Sequence, residues 1–167
     1  MVLTRDAILG EIDLGRVAIT PFDREQVGPA SVDLHLGDEI RVFEAGGPIE
    51  LATIDHTTIS QLQRFNDGYA LAPGETIHGI TRERVKLPSD IAGWLEGRSR
   101  YARLGLLIHV SAGFVCPGVD NHQVLEISNL GGRALVLRPG LRLCQIILQR
   151  CEGSASYVGR FSTQTQP

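Results

Sequence analysis

Short apolar runs recur along this chain, and dipeptides that favour turns separate one run from the next. Pro-Gly stands at 73–74, 117–118 and 139–140, and Gly-Gly stands at 131–132. This spacing predicts many short strands joined by turns, because no long helical segment lies between the runs. At 167 residues, the chain is long enough for one domain with a sizeable core. The predicted strands are 39–43, 76–82, 91–96, 106–111, 124–129, 134–138 and 141–149, after an alternating run that begins at Ser31.

Two short helices and one irregular segment interrupt this all-β pattern. Thr4 is a candidate N-cap for an N-terminal helix that ends at Gly15. A single helical turn is predicted between Ser99, as its N-cap, and Gly105, as its terminator. Residues 44–66 lack clean periodicity, which indicates a long loop or a short helix.

The C-terminal residues form a segment of a different kind. After Cys151 the chain becomes small and polar, so residues 153–167 cannot build a core of their own. We expect this tail to be flexible until something orders it.

A cluster of arginines is the first feature that indicates a function. Arg98, Arg100 and Arg103 surround Ser99 in one short turn, although the formal net charge of the chain is -3. Helix starts and guanidinium groups both favour bound phosphate. The alternative is a solvated turn that carries surface arginines.

A carboxylate in an apolar strand is the second such feature. Strand alternation places Glu126 on the face of Val124 and Ser128, opposite Leu125 and Ile127. A carboxylate in such surroundings suits proton transfer, and the alternative is an ordinary surface ion pair near a strand end.

These motifs together resemble one known family. Gly97-Arg-Ser-x-x-Ala-Arg-Leu-Gly-Leu106, then His109-Val-Ser-Ala-Gly-Phe114, then Leu125-Glu126, is similar to the dCTP deaminase family, the deaminase branch of the trimeric dUTPase superfamily. The similarity extends to 29–37, 87–97, 138–145 and 157–164, and is weakest over 44–70. It implies a distorted jelly roll or dUTPase-like β-barrel over residues 1–152. It also implies a tail, 153–167, that closes over the site, and a homotrimer with sites between subunits.

The resemblance assigns roles to particular residues. Glu126 is expected to be the general acid and base of cytosine deamination, with Ser99 orienting the attacking water and Arg103 steadying Glu126. Arg100 stands where a small residue is usual, so a surface position is the alternative for it. The implied nucleotide-binding residues are Arg98, Arg100, Ser111, Ala112, Cys116, Val124, Leu125, Gln145, Tyr157, Arg160 and Gln164.

Three further residues have both a structural and a functional interpretation. His109 lies on a predicted strand, where a satisfied core histidine is more usual than a catalyst. Gln145 shares a face with Leu143 and Ile147, so its amide is expected to point toward the core and to need partners there. For Asp33 a structural hydrogen bond is favoured over contact with a metal.

Metal use follows from the motifs that this chain has and lacks. The zinc route of nucleobase deamination uses an H-x-E and a P-C-x-x-C motif, and the chain contains neither. His109 and Cys116 are close in sequence, but no third ligand stands at a plausible spacing. We therefore expect no zinc. A Mg²⁺ ion bound mainly through the triphosphate of a nucleotide is expected instead.

Composition limits the partners and the compartment. The near-neutral charge argues against a polymeric nucleic acid partner. No apolar run approaches about 18 residues, and no signal peptide is apparent, so a membrane location is not expected. Cys116, Cys144 and Cys151 form no CxxC pair, which favours a reducing, cytoplasmic setting.

One departure from the family pattern affects the expected reaction. Where the family has Ile-Asp-Pro-Gly, this chain has Val115-Cys116-Pro117-Gly118, and Asn121 replaces a usual glycine. The first hypothesis is hydrolysis of dCTP to dUTP and ammonia, which supplies dUMP and dTTP synthesis. The alternatives are a dUTP diphosphatase, alone or combined with deamination, and a catalytically weak nucleotide-binding protein. The expected small-molecule partners are dCTP, dUTP and dTTP.

Overall fold

A computed structural model describes residues 1–109 and 111–167. Its strands are β1 (Ala18–Thr20), β2 (Val32–Phe43), β3 (Ser60–Arg64), β4 (Tyr69–Leu71), β5 (Thr76–Lys86), β6 (Ile91–Gly97), β7 (Leu106–Ile108), β8 (Phe114–Val115), β9 (Asp120–Asn129), β10 (Leu135–Leu137) and β11 (Arg142–Arg150). The helices are α1 (Arg5–Asp13), α2 (Ser99–Ala102) and two 3-10 turns, Arg24–Gln26 and His56–Ile59. The predicted all-β class is confirmed.

Most strands of the described part of the chain belong to one curled, antiparallel sheet. Its order is β7-β9-β5-β2-β11-β6-β8, with β1 added on β5 and β3 added on β2, while β10 and β4 pair separately. The long strands β2, β5 and β9 lie side by side, although they are far apart in sequence. These pairings bring β9 and β5 into register and so determine which side chains face each other.

Alternation along the strands creates the core. Leu34, Leu36, Leu125 and Ile127 are fully buried, while their sequence neighbours on the opposite face of each strand are more exposed. Burying such side chains stabilises the fold by about 1.5–3 kcal/mol each. The core therefore lies on one face of the sheet, and the opposite face of β9 remains available for polar groups.

Both helices lie where the sequence predicts them, but the N-cap of the second helix differs from the prediction. Helix α1 follows Thr4 as predicted, with Gly15 in the left-handed conformation at its end. The N-cap of α2 is Arg98, so the prediction that Ser99 caps this helix is wrong, and Ser99 is the first helical residue. Gly105 ends the turn at a φ of 88°, where a Cβ would meet the backbone of Gly131 at 2.4 Å.

Strand boundaries differ from the sequence prediction in several places. The early alternating run and the predicted strand 39–43 form one strand, β2, with a register shift between Leu36 and Ile40. All of 44–66 is predicted as a long loop or a short helix, but within it Ser60–Arg64 pairs with β2 as a strand. The predicted strand 106–111 ends at Ile108, because His109 has a φ of 56°; Val110 lies outside the described residues.

The longest α-helix of the described part of the chain is α1, with nine residues. No described helix is long and apolar enough to cross a membrane.

Candidate active site

Glu126 lies on the face of β9 that the sequence predicted. Leu125 and Ile127 are fully buried in the core, and Val124, Glu126 and Ser128 occupy the opposite, half-exposed face. The Leu125 side chain therefore points away from the face that carries Glu126. Only the backbone of Leu125 is placed to contact a ligand beside that carboxylate.

Two neighbours hold the Glu126 side chain and backbone in place. Ser111 donates a hydrogen bond from Oγ to Oε2 of Glu126, with 2.7 Å between the two oxygens. The backbone N–H of His109 donates to the Glu126 carbonyl at 2.9 Å, and the Glu126 N–H donates to Nδ1 of His109 at 3.2 Å. In its neutral form, the His109 ring therefore carries its proton on Nε2.

Glu126 lines a cavity of about 340 Å³. Residues with predicted roles that line it are Ala112, Cys116, Val124, Glu126, Tyr157 and Gln164. Residues that the sequence analysis did not assign to a site are His56, His78, Phe114, Val115, Val119, Gln123, Phe161, Gln166 and Pro167. His109 and Asn121, each discussed from the sequence, complete the lining. A cavity of this size and mixed polarity suits a small polar ligand.

Histidines form one side of the cavity. His78 on β5 stands directly opposite Glu126 on β9 in the antiparallel register. The His78 ring packs edge-on against Phe43, with centroids 4.7 Å apart, and lies 5.6 Å from the His56 ring. Burial is the main cause that lowers the pKa of His78, followed by the neighbouring His56, while Glu126 acts in the opposite direction.

His109 is affected in the same way. Burial lowers the pKa of His109, and the charge of Glu126 opposes that shift. Both His78 and His109 therefore favour the neutral ring in the folded protein. Neutral imidazoles offer one donor and one acceptor each, which allows them to contact a base without adding charge.

The C-terminal tail lies along the mouth of the cavity. The Asn121 amide donates to the Phe161 carbonyl at 2.7 Å, and the Gln164 amide donates to the His122 carbonyl at 2.8 Å. The Tyr157 N–H donates to the Pro117 carbonyl at 2.9 Å. These bonds place tail residues at the cavity that Glu126 also lines, and both the flexibility of residues 153–167 and their closure over the site stay predictions.

Arg160 is held away from the cavity by an ion pair. Its guanidinium bonds to the Asp55 carboxylate. Hydrogen bonds from Thr57, with a smaller contribution from Arg160, lower the pKa of Asp55 to about 2. Arg160 does not line the cavity, so its predicted contact with a triphosphate requires that this ion pair opens.

A second polar cluster lies on the β2, β6 and β11 part of the sheet. Arg98 lies 3.2 Å from a carboxylate oxygen of Asp33, and Arg142 approaches the same oxygen at 4.0 Å. Ser31 donates to the Gln145 side-chain oxygen at 2.6 Å. The Asp33 carboxylate thus neutralises part of the arginine charge through ion pairs, and its predicted structural hydrogen bond stays a prediction.

Gln145 does not point toward the core as predicted. A register shift between Arg142 and Cys144 reverses the alternation at the start of β11, so Leu143 and Cys144 are both fully buried. Gln145 and Ile147 are consequently half-buried, while Ile146 and Leu148 fill the core. The β-bulge is the physical reason for this error.

Helix α2 presents its polar residues to solvent. Ser99, Arg100 and Arg103 are exposed, and the Arg100 guanidinium lies 5.3 Å from the centre of the Tyr101 ring. None of these side chains lines the cavity that contains Glu126 within a single chain. The structure therefore places most predicted site residues in two groups, one around Glu126 and one around α2 and Asp33, while Arg160 pairs with Asp55.

The cavity does not have the arrangement of a metal centre. His56, His78, His109 and Cys116 all line it. Even so, among the described residues no three His, Cys, Asp or Glu side chains are arranged to hold a metal ion.

Comparison with known proteins identifies the relatives of this chain. A family model described as dCTP deaminase-like matches residues 2–151. A protein of Parafrankia sp. named "dCTP deaminase, dUMP-forming" is 37% identical, and the match covers 100% of this chain and 88% of the relative. A protein with the same name from Mycolicibacterium vanbaalenii is 38% identical, covering 94% of this chain and 84% of the relative.

Solved structures show the same fold. A 2'-deoxycytidine 5'-triphosphate deaminase from Agrobacterium tumefaciens superposes with a TM-score of 0.70 at 24% identity, covering 90% of this chain. The match spans 48% of that longer chain. A native EIAV dUTPase superposes with a TM-score of 0.54 at 18% identity, covering 86% of this chain and 95% of the dUTPase. The curled sheet is therefore of the dUTPase-like type.

Proposed function

The chain belongs to the dCTP deaminase-like family, and we propose that it hydrolyses the 4-amino group of dCTP. The observation that carries this proposal is Glu126, which lines a cavity of nucleoside size while Ser111 holds one of its carboxylate oxygens. The names of the relatives support deamination as the chemistry.

The cavity supplies what the reaction needs beside C4 of the base. Glu126 removes a proton from water as the water oxygen bonds to C4, and it transfers that proton to N3. It then moves the remaining hydroxyl proton to the amino group. The C4–N bond breaks, ammonia leaves and a C4 carbonyl remains. Ser111 occupies one lone pair of Oε2, so Oε1 is the oxygen of Glu126 with both lone pairs available for proton transfer.

The second group of residues belongs to a neighbouring subunit's site in this proposal. Ser99 and Arg103 do not line the cavity of their own chain, yet their hydroxyl and guanidinium suit a water and a developing charge. A homotrimer in which α2 of one chain faces the Glu126 cavity of the next would combine both groups. Arg98, Gln145 and, once released from Asp55, Arg160 would bind the triphosphate.

The triphosphate is expected to bring a Mg²⁺ ion. The described residues offer no cluster of ligands for it, so the phosphate oxygens would hold the ion. The charge of the ion would reduce the repulsion between those oxygens. The proton transfers at C4 depend on Glu126 and not on a zinc-bound water. A reducing, cytoplasmic setting is part of the proposal, because all three cysteines are free thiols.

The product distinguishes two versions of the function. Cys116 lines the cavity where the family pattern has an aspartate, and a thiol is a weak acceptor without a carboxylate's charge. We propose that dUTP is therefore the main product. The alternative, dUMP formation by subsequent hydrolysis of dUTP, is favoured by the names of the relatives.

Product analysis tests the proposal directly. Purified protein is incubated with dCTP or dUTP and MgCl₂, and dUTP, dUMP, pyrophosphate and ammonia are separated. Ammonia and dUTP from dCTP, with little pyrophosphate, are the expected result. Equal amounts of dUMP and pyrophosphate would favour the alternative. Nucleotide binding without turnover would indicate a catalytically weak relative.

A further inference from the structure

His78 is a cavity residue for which the proposed reaction has so far no role. It stands opposite Glu126 in the register of β5 and β9, so the two side chains project from adjacent strands on the same face of the sheet. Both line the same cavity. Any ligand that reaches Glu126 therefore also approaches His78.

The His78 ring has an unsatisfied nitrogen. Its Nδ1 is buried and has no hydrogen-bond partner among the described residues. Buried polar atoms of folded proteins are nearly always paired, and an exception calls for a partner such as an ordered water or a ligand atom. This nitrogen has almost no accessible surface, so the ring has to turn toward the cavity before Nδ1 meets a polar atom of a molecule that enters.

Asn121 and His109, two other polar residues of the cavity, already have hydrogen-bond partners. The Asn121 amide nitrogen donates to Phe161, and its oxygen accepts from Gln123 at 2.6 Å. Nδ1 of His109 accepts the Glu126 N–H, so that ring can offer only its Nε2–H to a ligand. His78 is thus the described cavity histidine with an unpaired, buried ring nitrogen, and in the tautomer that carries its proton on Nε2 this nitrogen is an acceptor.

The charge state of His78 allows it to accept. Burial is the largest cause that lowers the pKa of His78, and the neighbouring His56, Arg41 and His109 act in the same direction. The opposing influence is the carboxylate of Glu126. At neutral pH the ring is therefore uncharged, and one of its nitrogens presents a lone pair.

We propose that His78 is a specificity-determining residue that accepts a hydrogen bond from the 4-amino group of the cytosine base. The inference rests on the proposed function, because only a base bound beside Glu126 places its C4 substituent near β5. A cytosine presents an N–H donor at C4, whereas a uracil presents a carbonyl oxygen, which repels a lone pair. His78 therefore favours binding of the substrate over the deaminated product. It accepts no proton during the reaction, since Glu126 supplies the proton that leaves with ammonia.

Equilibrium binding in a variant that cannot turn over substrate isolates this contact. Glu126→Gln protein is titrated with dCTP and with dUTP in MgCl₂, alone and with His78→Leu added. One hydrogen bond corresponds to about a five- to tenfold change in affinity. The ratio of dCTP affinity to dUTP affinity is expected to fall by that factor in His78→Leu. His78→Gln, whose amide oxygen can accept, should retain part of the preference.

A matched control lies two residues away on the same strands. Thr76 faces Ser128 across β5 and β9, with 2.7 Å between their hydroxyls, and neither lines the cavity. Thr76→Val should leave the ratio unchanged. An unchanged ratio in His78→Leu, with both nucleotides still bound, would overturn the inference and leave the proposed function intact. Failure of dCTP to bind any of these proteins would instead contradict the proposed function.

Discussion

Ser111 and Glu126 form a hydrogen bond of 2.7 Å that joins the segment after β7 to the middle of β9. The hydroxyl donates to Oε2, which holds the carboxylate in place and leaves both lone pairs of Oε1 without a partner among the described residues. Together with the bonds between His109 and Glu126, this bond shows how the segment after β7 holds Glu126, the proposed proton-transfer residue, on the neighbouring strand.

Removing this hydroxyl should slow deamination without unfolding the protein. In Ser111→Ala, Glu126 loses one charge-assisted bond, and the expected fall in kcat is about tenfold. Ser128→Ala is the control, since Ser128 lies on the same face of β9 but bonds to Thr76. Steady-state rates with dCTP measure both. Equal rates for Ser111→Ala and the parent protein would show that the bond does not position the carboxylate.

Variants in the two groups of site residues should complement each other in one assembly. Glu126→Gln and Arg103→Ala chains, carrying different tags, are co-expressed and purified through both tags. If each site of a trimer combines Glu126 from one chain with Arg103 from the next, every mixed trimer has one intact site. The mixed trimers should regain about one third of the parent activity. Light scattering verifies the trimer, and inactive mixed trimers would contradict a shared site.

The identity of residue 116 should control the product. Cys116→Asp restores a charged acceptor at a position that lines the cavity, and it should increase pyrophosphate release from dUTP while deamination persists. Cys151→Asp is a control at a half-buried cysteine that does not line the cavity. Rapid dUTP hydrolysis by the parent protein would contradict the argument from the thiol.

The free energy of unfolding should decrease as the pH falls through the range in which His78 and His109 become protonated in the unfolded chain. The pKa values of His78 and His109 lie below 6.5 in the folded protein, mainly because of burial. Once the pH drops below about 6.5, the unfolded chain binds more protons than the folded chain, and the free energy of unfolding decreases. The Tm should therefore fall between about pH 7.5 and about pH 5.5. In His78→Leu the fall should be smaller, and an identical slope would contradict the assignment to this residue.

The sequence predicts the face of a side chain correctly where buried and exposed residues alternate regularly along the strand. Glu126 was placed on the correct face because β9 alternates without interruption from Asp120 to Asn129. Gln145 was placed on the wrong face because a bulge at the start of β11 leaves no local signal. The family motif also led to a set of site residues that the structure places partly in the Glu126 cavity and partly on α2.

Two of the cavity histidines, His78 and His56, could not be found in this way. His78 faces Glu126 only because β5 pairs with β9, a contact between residues 48 positions apart whose register depends on the whole sheet. His56 comes from a segment without periodicity that is ordered as a 3-10 turn capped by Asp55. Non-local pairing and side-chain capping therefore account for the two histidines that the sequence analysis missed.

The central claim is that Glu126 transfers the protons of dCTP deamination. Glu126→Gln keeps the shape of the side chain and removes its basicity, so ammonia release from dCTP should fall by about 10²- to 10⁴-fold. Glu44→Gln, at an exposed glutamate outside the cavity, should retain the parent rate. The rate of ammonia release by the three proteins, each folded and able to bind dCTP, is the decisive measurement. A Glu126→Gln protein that releases ammonia at the parent rate would contradict the account.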